Sequence, residues 1–377
     1  MSFNFNMYST PLLFAFLQGW IYAVLFLVRG WRQARLSDGI FGALLIAFTF
    51  EIWEYMLGFA GVEVLWQELN FFPRTFSALL PPLAYFYLKS QFNADFRFSW
   101  RDAWHAAPFL VYCTYHLVVF AQGATFVDHW ITTVHEPWGL DFFYLFCLFC
   151  MQLYYCIRAF GLYRNYRRWA PSEFSDTESV SFSWFRNFLL VYLTGILASW
   201  IMLLFDQWLK LDFWHDWWDE LFLAVLIYYL SITGYAQLQP RKIKFVPQES
   251  DQEQQTPKSE KLSEADLQTW KERLRQLMED ERLYLEPELT LSDIAQRLGT
   301  NISILSAVVN GAFGKNFNDY VNSYRVELVK ARLRDPAYEH YSLLGVGLEC
   351  GFNSKSTFNR VFKKFTGVAP SDFTREA

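Results

Sequence analysis

Seven stretches of this chain are apolar on every face for close to twenty residues. They lie near 9–28, 39–60, 71–90, 104–121, 139–160, 184–205 and 219–238, each about the length a helix needs to cross a bilayer. A segment that long with no polar face is not an ordinary amphipathic surface helix. The first part of the chain is therefore expected to be a seven-transmembrane helix bundle, with the fourth span the shortest. Composition marks where the bundle ends. The 377 residues are 53% hydrophobic and 20% aromatic, high for a soluble protein. Every Trp except Trp270 falls at or before Trp218, so the character changes from membrane-like to soluble after about residue 240.

Lys and Arg in the loops set the expected orientation. Arg29, Arg32 and Arg35 follow the first span, and Lys89, Arg97 and Arg101 the third. Arg158, Arg164, Arg167 and Arg168 follow the fifth, and Arg241, Lys242 and Lys244 the seventh. The alternate loops hold little beyond Lys210 and Arg74. The positive-inside rule then places the N-terminus outside and the C-terminus in the cytoplasm. Trp100, Trp104, Trp130, Trp138, Trp208, Trp214, Trp217 and Trp218 sit at span ends as an interfacial belt. Pro81-Pro82 falls inside the third stretch and is expected to kink it. No basic segment precedes the first apolar run, so no cleavable signal peptide is expected. Cys113, Cys147, Cys150, Cys156 and Cys350 form no disulfide framework, and the Cys147/Cys150 pair reads as small apolar residues of a membrane helix.

Charges inside a membrane are costly, so those present are expected to face the bundle interior and find partners. Glu51 and Glu54 share one face of the second span, with Arg74 the nearest candidate partner and His116 and Asp141 candidates from the fourth and fifth spans. Two readings stand side by side: a ligand or proton site for a small-molecule or ionic signal, and an ion pair that only fixes helix packing. The acidic and histidine-bearing outer loops have no firm metal-ligand spacing and read as solvated surface. No metal or cofactor is expected. Glycine-rich phosphate loops, nucleophile elbows and zinc-protease motifs are absent, so no enzyme class is supported.

Beyond the bundle (1–240), residues 241–262 are polar and proline-punctuated and read as a flexible linker. Residues 263–282 read as a linker helix with Leu267, Trp270, Leu274 and Leu277/Met278 on one stripe and Ser263 at its start. That stripe fits either packing on the domain that follows or pairing with its twin in a homodimer. Residues 283–377 contain two helix-turn-helix units. In the first, Ala295 lies in the leading helix, Gly299 at the turn, and Leu305 and Val308 where the second helix must pack. Gly347, Gly351 and Phe358 repeat that spacing about fifty residues on. The second trailing helix has Phe358, Val361/Phe362 and Phe365 on one face and Lys355, Ser356, Asn359, Arg360 and Lys363 on the other. A helix with that polar set can enter a DNA major groove, where Arg and Lys pair with guanine and Asn with adenine.

Two such units joined by a long helix, roughly 317–334, resemble the AraC/XylS family of transcription regulators. The resemblance covers about residues 285–375. It is carried by Leu291-Ser292-Asp293-Ile294-Ala295, by Tyr324-Arg325 and Leu333, and by the run from Gly351-Phe352 through Phe362-Lys363-Lys364-Phe365 to Gly367-Val368-Ala369-Pro370-Ser371. The chain departs from the family where Gly347 stands in place of the usual alanine, a change that loosens a helix by about 1 kcal/mol. It also departs at Val329, which replaces an alanine, and the charge over 283–377 is close to balanced.

The apolar stretches and the resemblance together imply an all-α chain: a membrane bundle, read from the spans, carrying a cytoplasmic double helix-turn-helix domain that by resemblance binds promoter DNA and works with RNA polymerase. The two recognition helices would enter successive major-groove segments. In the second, Lys355, Ser356, Asn359 and Arg360 are the candidates for base edges and Lys363 and Lys364 for phosphate. In the first, Asn301, Ser303, Ser306 and Asn310 are the polar candidates, and Ala307 can touch a thymine methyl. The expected location is the inner membrane of a bacterium. The competing expectation is a membrane receptor or transporter-like protein whose C-terminal domain docks proteins. It draws on the weak basicity and on the absence of Lys and Arg from Asn301 to Asn310.

Overall fold

A computed structural model describes residues 3–209, 213–236, 243–245 and 263–376. Nearly all of the expected linker lies outside these residues. The chain divides into two compact units: residues 1–163 with 183–246, and residues 164–182 with 247–377. Among the described residues every regular element is helical.

In the first unit, α1 (Ser9–Gln33) and α2 (Leu36–Phe59) form a hairpin whose turn places Ala34 in the left-handed region at φ 51°. Their backbones approach closely at Gly42, where a Cβ would lie 3.0 Å from the Ala23 carbonyl oxygen. Arg29 at the end of α1 forks onto Asp38 at the start of α2, with Nε donating to Oδ2 at 2.7 Å and Nη2 to Oδ1 at 2.9 Å. Its guanidinium also lies 4.8 Å from the centres of the Phe26 and Tyr235 rings. Asp38 is buried, so this two-pronged pair is a fixed fastening of the hairpin.

The third apolar stretch differs from expectation. Its helix, α3 (Leu80–Phe92), is 13 residues long, and Pro81 and Pro82 occupy its first turn. There a missing N–H leaves no bond broken, so the prolines start the helix and do not kink it. At about 20 Å, α3 is shorter than the hydrocarbon core of roughly 30 Å. The fourth stretch is also broken. Gly123 at φ 91° separates α4 (Ala107–Phe120) from α5 (Ala124–Trp130). The arms Trp100–Phe120 and Ala124–His135 meet at 119°.

The remaining long helices are α6 (Leu140–Glu173), α7 (Ser183–Leu209) and α8 (Trp217–Ala236). Among the described residues, five helices can cross a membrane by length and composition, or six if the bent pair is one span. The exact count of seven is thus not reproduced. The long helices keep large apolar side chains on the outside, among them Ile21 and Val24 on α1, Phe142 and Ile157 on α6, and Ile201 and Leu204 on α7. Continuous apolar surface of this kind is rare on a soluble monomer, and the N-terminal region fits a membrane domain.

In the second unit, α9 (Glu264–Asp280) precedes α10 (Leu291–Leu298), α11 (Ile302–Phe313), α12 (Phe317–Leu333), α13 (Leu343–Glu349), α14 (Lys355–Thr366) and α15 (Pro370–Glu376). Leu274 and Met278 of α9 are fully buried in one core with Ile294, Leu305, Val308 and Val321. The apolar stripe of α9 is therefore spent on the domain. A second core gathers Val346, Phe352, Phe358 and Phe362. Helix α12 joins the two, with Phe317 and Val321 in the first and Val326 and Val329 in the second. Near its middle the buried Arg325 donates to the Tyr284 carbonyl at 2.7 Å and the Glu286 carbonyl at 2.8 Å. Burial lowers its pKa to about 10, so it stays charged at neutral pH. The end of α6 and the segment after it, residues 173–178, run along this domain: Phe174 pairs with Thr290 in an antiparallel bridge, and the Ser175 amide donates to the Leu289 carbonyl at 3.0 Å.

Candidate nucleic-acid interface

Each helix-turn-helix unit is built from local signals that fix where its second helix starts. Thr290 caps α10 in a reciprocal box with Asp293, each side chain bonding the other's backbone N–H. Gly299 at φ 64° ends the helix in the left-handed region that glycine adopts without strain. Asn301 then caps α11, its Oδ1 accepting from the Ile304 amide at 2.8 Å. In the second unit Gly351 takes φ 91°, and Ser354 caps α14 by accepting from the Thr357 amide at 3.2 Å.

Buried Leu305, Val308 and Val309 hold α11, and buried Phe358, Val361 and Phe362 hold α14. The opposite faces are then set. On α14, Lys355, Ser356, Asn359, Arg360 and Lys363 are exposed. Lys364 is exposed but paired with Asp319 of α12, which ties it to the scaffold. On α11, Asn301, Ser303 and Asn310 are exposed, with Ser306 and Ala307 half-buried beside them. Asn310 Nδ2 donates to Ser306 Oγ at 3.3 Å, so this pair presents itself as one unit. The candidate residues thus divide by chemistry: cationic on α14, neutral and short on α11.

Gly347 has a local explanation. A Cβ there would lie 2.8 Å from Cγ of the Phe358 ring. The large ring fills the space that an alanine methyl would take, so glycine and phenylalanine are two halves of one packing choice.

The bundle charges separate into three groups. Arg74 Nη1 pairs with Glu54 Oε1 at 2.9 Å, as expected. Glu51 does not join them. It accepts from the Phe76 amide at 2.9 Å, from Thr75 Oγ1 at 3.1 Å and from Ser77 Oγ. Glu51 and Ser77 also border a cavity of about 250 Å³, lined further by Gln152, Tyr192, Ser199 and Trp200. His116 lies against the Phe71 ring at 4.4 Å with its Nδ1 3.1 Å from the Phe71 carbonyl. Asp141 pairs with His135 at 2.8 Å, and the other nitrogen of His135 is 2.8 Å from the Tyr115 hydroxyl.

Two buried acids of the first unit were not singled out from the sequence. Asp38 stands nine positions from Arg29 across a tight turn, a proximity that was readable. Glu220 is buried on α8 with Oε2 lacking a partner among the described residues, and its neighbours Asp216 and Asp219 disguise it as loop surface. No group of three or more candidate metal ligands occurs among the described residues.

A family model described as a helix-turn-helix domain matches residues 273–376. The chain is 32% identical over 91 residues to an uncharacterized HTH-type transcriptional regulator, YtdP, of Bacillus subtilis (strain 168), covering 24% of this chain and 11% of that protein. It is 28% identical over 104 residues to the transcriptional regulatory protein HptR of Staphylococcus aureus (strain bovine RF122 / ET3-1), covering 28% of this chain and 40% of the relative. The chain therefore spans less than half the length of these curated relatives. No solved structure matches the chain significantly. Matched region, paired turns and the two capped helices agree: the C-terminal part of this chain is a helix-turn-helix domain of the AraC type.

Proposed function

We propose that this chain is a membrane-embedded one-component transcription regulator. Its N-terminal bundle senses a signal, and its AraC-type domain binds promoter DNA in a sequence-specific way. The observation that carries this reading is the exposed row Lys355, Asn359, Arg360 and Lys363 on a helix anchored by Phe358 and Phe362, in a chain with at least five helices long enough to span a bilayer. Loop cations Arg29, Arg32, Arg164, Arg167 and Arg168 favour an inner-membrane orientation with the N-terminus outside and the DNA-binding domain in the cytoplasm. By the resemblance, RNA polymerase is the further partner, and a homodimer would read paired sites.

Arg360 and Lys355 are assigned to base edges, Lys363 to phosphate, and α11 to shape and positioning through Ser303, the Ser306–Asn310 pair and Ala307. Lys364, held by Asp319, contributes through the scaffold. The signal is a small molecule or ion whose binding alters packing at the Glu54–Arg74 pair, at Glu51 beside the cavity, or at the His116 and Asp141 groups.

The test is a selection of random duplexes on the detergent-solubilised full chain, with Lys355→Ala and Arg360→Ala in parallel. A site that enriches with wild type and loses preference at one base pair in each variant supports the reading. Enrichment that is the same in all three proteins overturns the assigned roles. Absence of any duplex binding at low salt overturns the function.

A further inference from the structure

The segment between α6 and α7 makes bonds with the DNA-binding domain at the places where a duplex is read. Ser356 Oγ at the start of α14 donates to Glu178 Oε1 at 3.0 Å, and Thr357 Oγ1 donates to Glu178 Oε2. One carboxylate therefore closes over the first turn of the recognition helix. Asn353, in the turn before that helix, donates from Nδ2 to Asp176 Oδ2 at 2.9 Å. At the other helix-turn-helix unit, the Ser292 amide in the first turn of α10 donates to Glu173 Oε1 at 3.3 Å. Between these acids, the Ser175 carbonyl accepts from Asn318 Nδ2 at 2.7 Å and Asn322 Nδ2 at 3.3 Å on α12, and its hydroxyl accepts from Arg325 at 3.2 Å. Glu173, Ser175 and Asp176 are all buried by this docking.

The chemistry of these bonds is that of a phosphate backbone. Helix N-termini and hydroxyl side chains are what proteins offer to DNA phosphates. In helix-turn-helix docking the N-terminal residues of the recognition helix meet the bases, while the leading helix crosses the backbone. Here three carboxylates, spaced along six residues, take those positions. Ser356 cannot give its proton to a nucleotide while it gives it to Glu178.

We propose that residues 173–178 form an acidic strap that competes with duplex DNA for the first turns of α10 and α14. The strap is continuous with α6 on one side and α7 on the other, so a change in the packing of those helices is the input that releases it. This inference rests on the DNA-binding reading above. A strap docked nine-tenths of the time lowers apparent affinity about tenfold.

The experiment uses the full chain in detergent and a labelled pool of random-sequence duplex. The variant Asp176→Asn with Glu178→Gln removes two charges from the strap. Glu264→Gln with Glu339→Gln removes two charges elsewhere on the same unit and controls for the general field. Retention about tenfold above wild type for the strap variant, with the control near wild type, supports the proposal. Equal retention in all three overturns the strap and leaves DNA binding standing, whereas no retention by any of them overturns both.

A second measurement guards against altered folding: Asp176→Cys with Asn353→Cys, the pair now 2.9 Å apart side chain to side chain, oxidised and then reduced. Cross-linked protein that loses the duplex and regains it on reduction supports competition. Failure to cross-link, or binding that ignores the cross-link, overturns it.

Discussion

Gly347 shows how a single position resists a rule taken from helix propensity. Replacing glycine by alanine inside a helix ordinarily stabilises it by about 1 kcal/mol. Here the added methyl would meet the Phe358 ring at 2.8 Å, and overpacking of a filled core costs about 1–3 kcal/mol. Gly347→Ala is therefore expected to destabilise the second unit, with earlier cleavage in limited proteolysis of the full chain, and Phe358→Leu in the same protein is expected to restore resistance. Additive losses in the double variant would sink the idea. At Arg360, truncation to Ala is expected to cost about 1–3 kcal/mol on the preferred site and relax one base position, while Lys363→Ala weakens all sequences alike. Competition binding against single-base variants of the selected site separates the two outcomes. The exposed polar face of α14 was legible because the anchoring residues Phe358, Val361 and Phe362 recur with the helical period, which fixes the opposite face. That Lys364 is held by Asp319 was not, since a lysine's partner 45 positions away leaves no local trace.

The helix start at Ser263 and the turn at Gly299 were better read than helix lengths. The caps at Thr290, Asn301 and Ser354 and the glycines at Gly299 and Gly351 behave as their residue types imply. The third and fourth apolar stretches did not become plain spans, because hydropathy counts side chains and ignores backbone breaks at Pro81-Pro82 and Gly123. The fate of the α9 stripe was open in the sequence, since a domain core and a twin helix present the same apolar target; Leu274 and Met278 answer it by their burial. Within the bundle, the Glu54–Arg74 pair joins α2 to the stretch before α3. Removing one partner of a pair shielded from water leaves a costly lone charge. Glu54→Gln and Arg74→Gln are each expected to lower the folded yield from membranes, and the exchanged pair Glu54→Arg with Arg74→Glu to recover part of it. Size-exclusion profiles in mild detergent measure this, and singles that behave as wild type would remove the pair from the sensing scheme.

At the scale of the molecule, α6 is longer than a membrane span requires. Its 34 residues make a rod of about 50 Å, well beyond a hydrocarbon core of roughly 30 Å. The run past the core was read from its arginines as a loop charge, and its acidic end was passed over. Glu178 and Thr357 stand 179 positions apart, and nothing in either neighbourhood announces the other. The orientation is open to direct measurement: a reporter active only outside the membrane is expected to signal when fused before Ser9 and to stay silent when fused after Pro370.

The bonds from Glu173, Ser175, Asp176 and Glu178 to the domain also change what a cut would do. The polypeptide between residues 246 and 263 is one attachment of the helix-turn-helix domain to the N-terminal region; the proposed strap is a second, made by hydrogen bonds. A protease acting in that interval severs the first and leaves the second. The fragment is expected to remain with the membranes after cleavage at an inserted protease site, and to move to the soluble fraction when Asp176→Asn and Glu178→Gln are present. Proteolysis would then be permissive and the strap decisive, and a release mechanism of this kind requires two events in the same molecule.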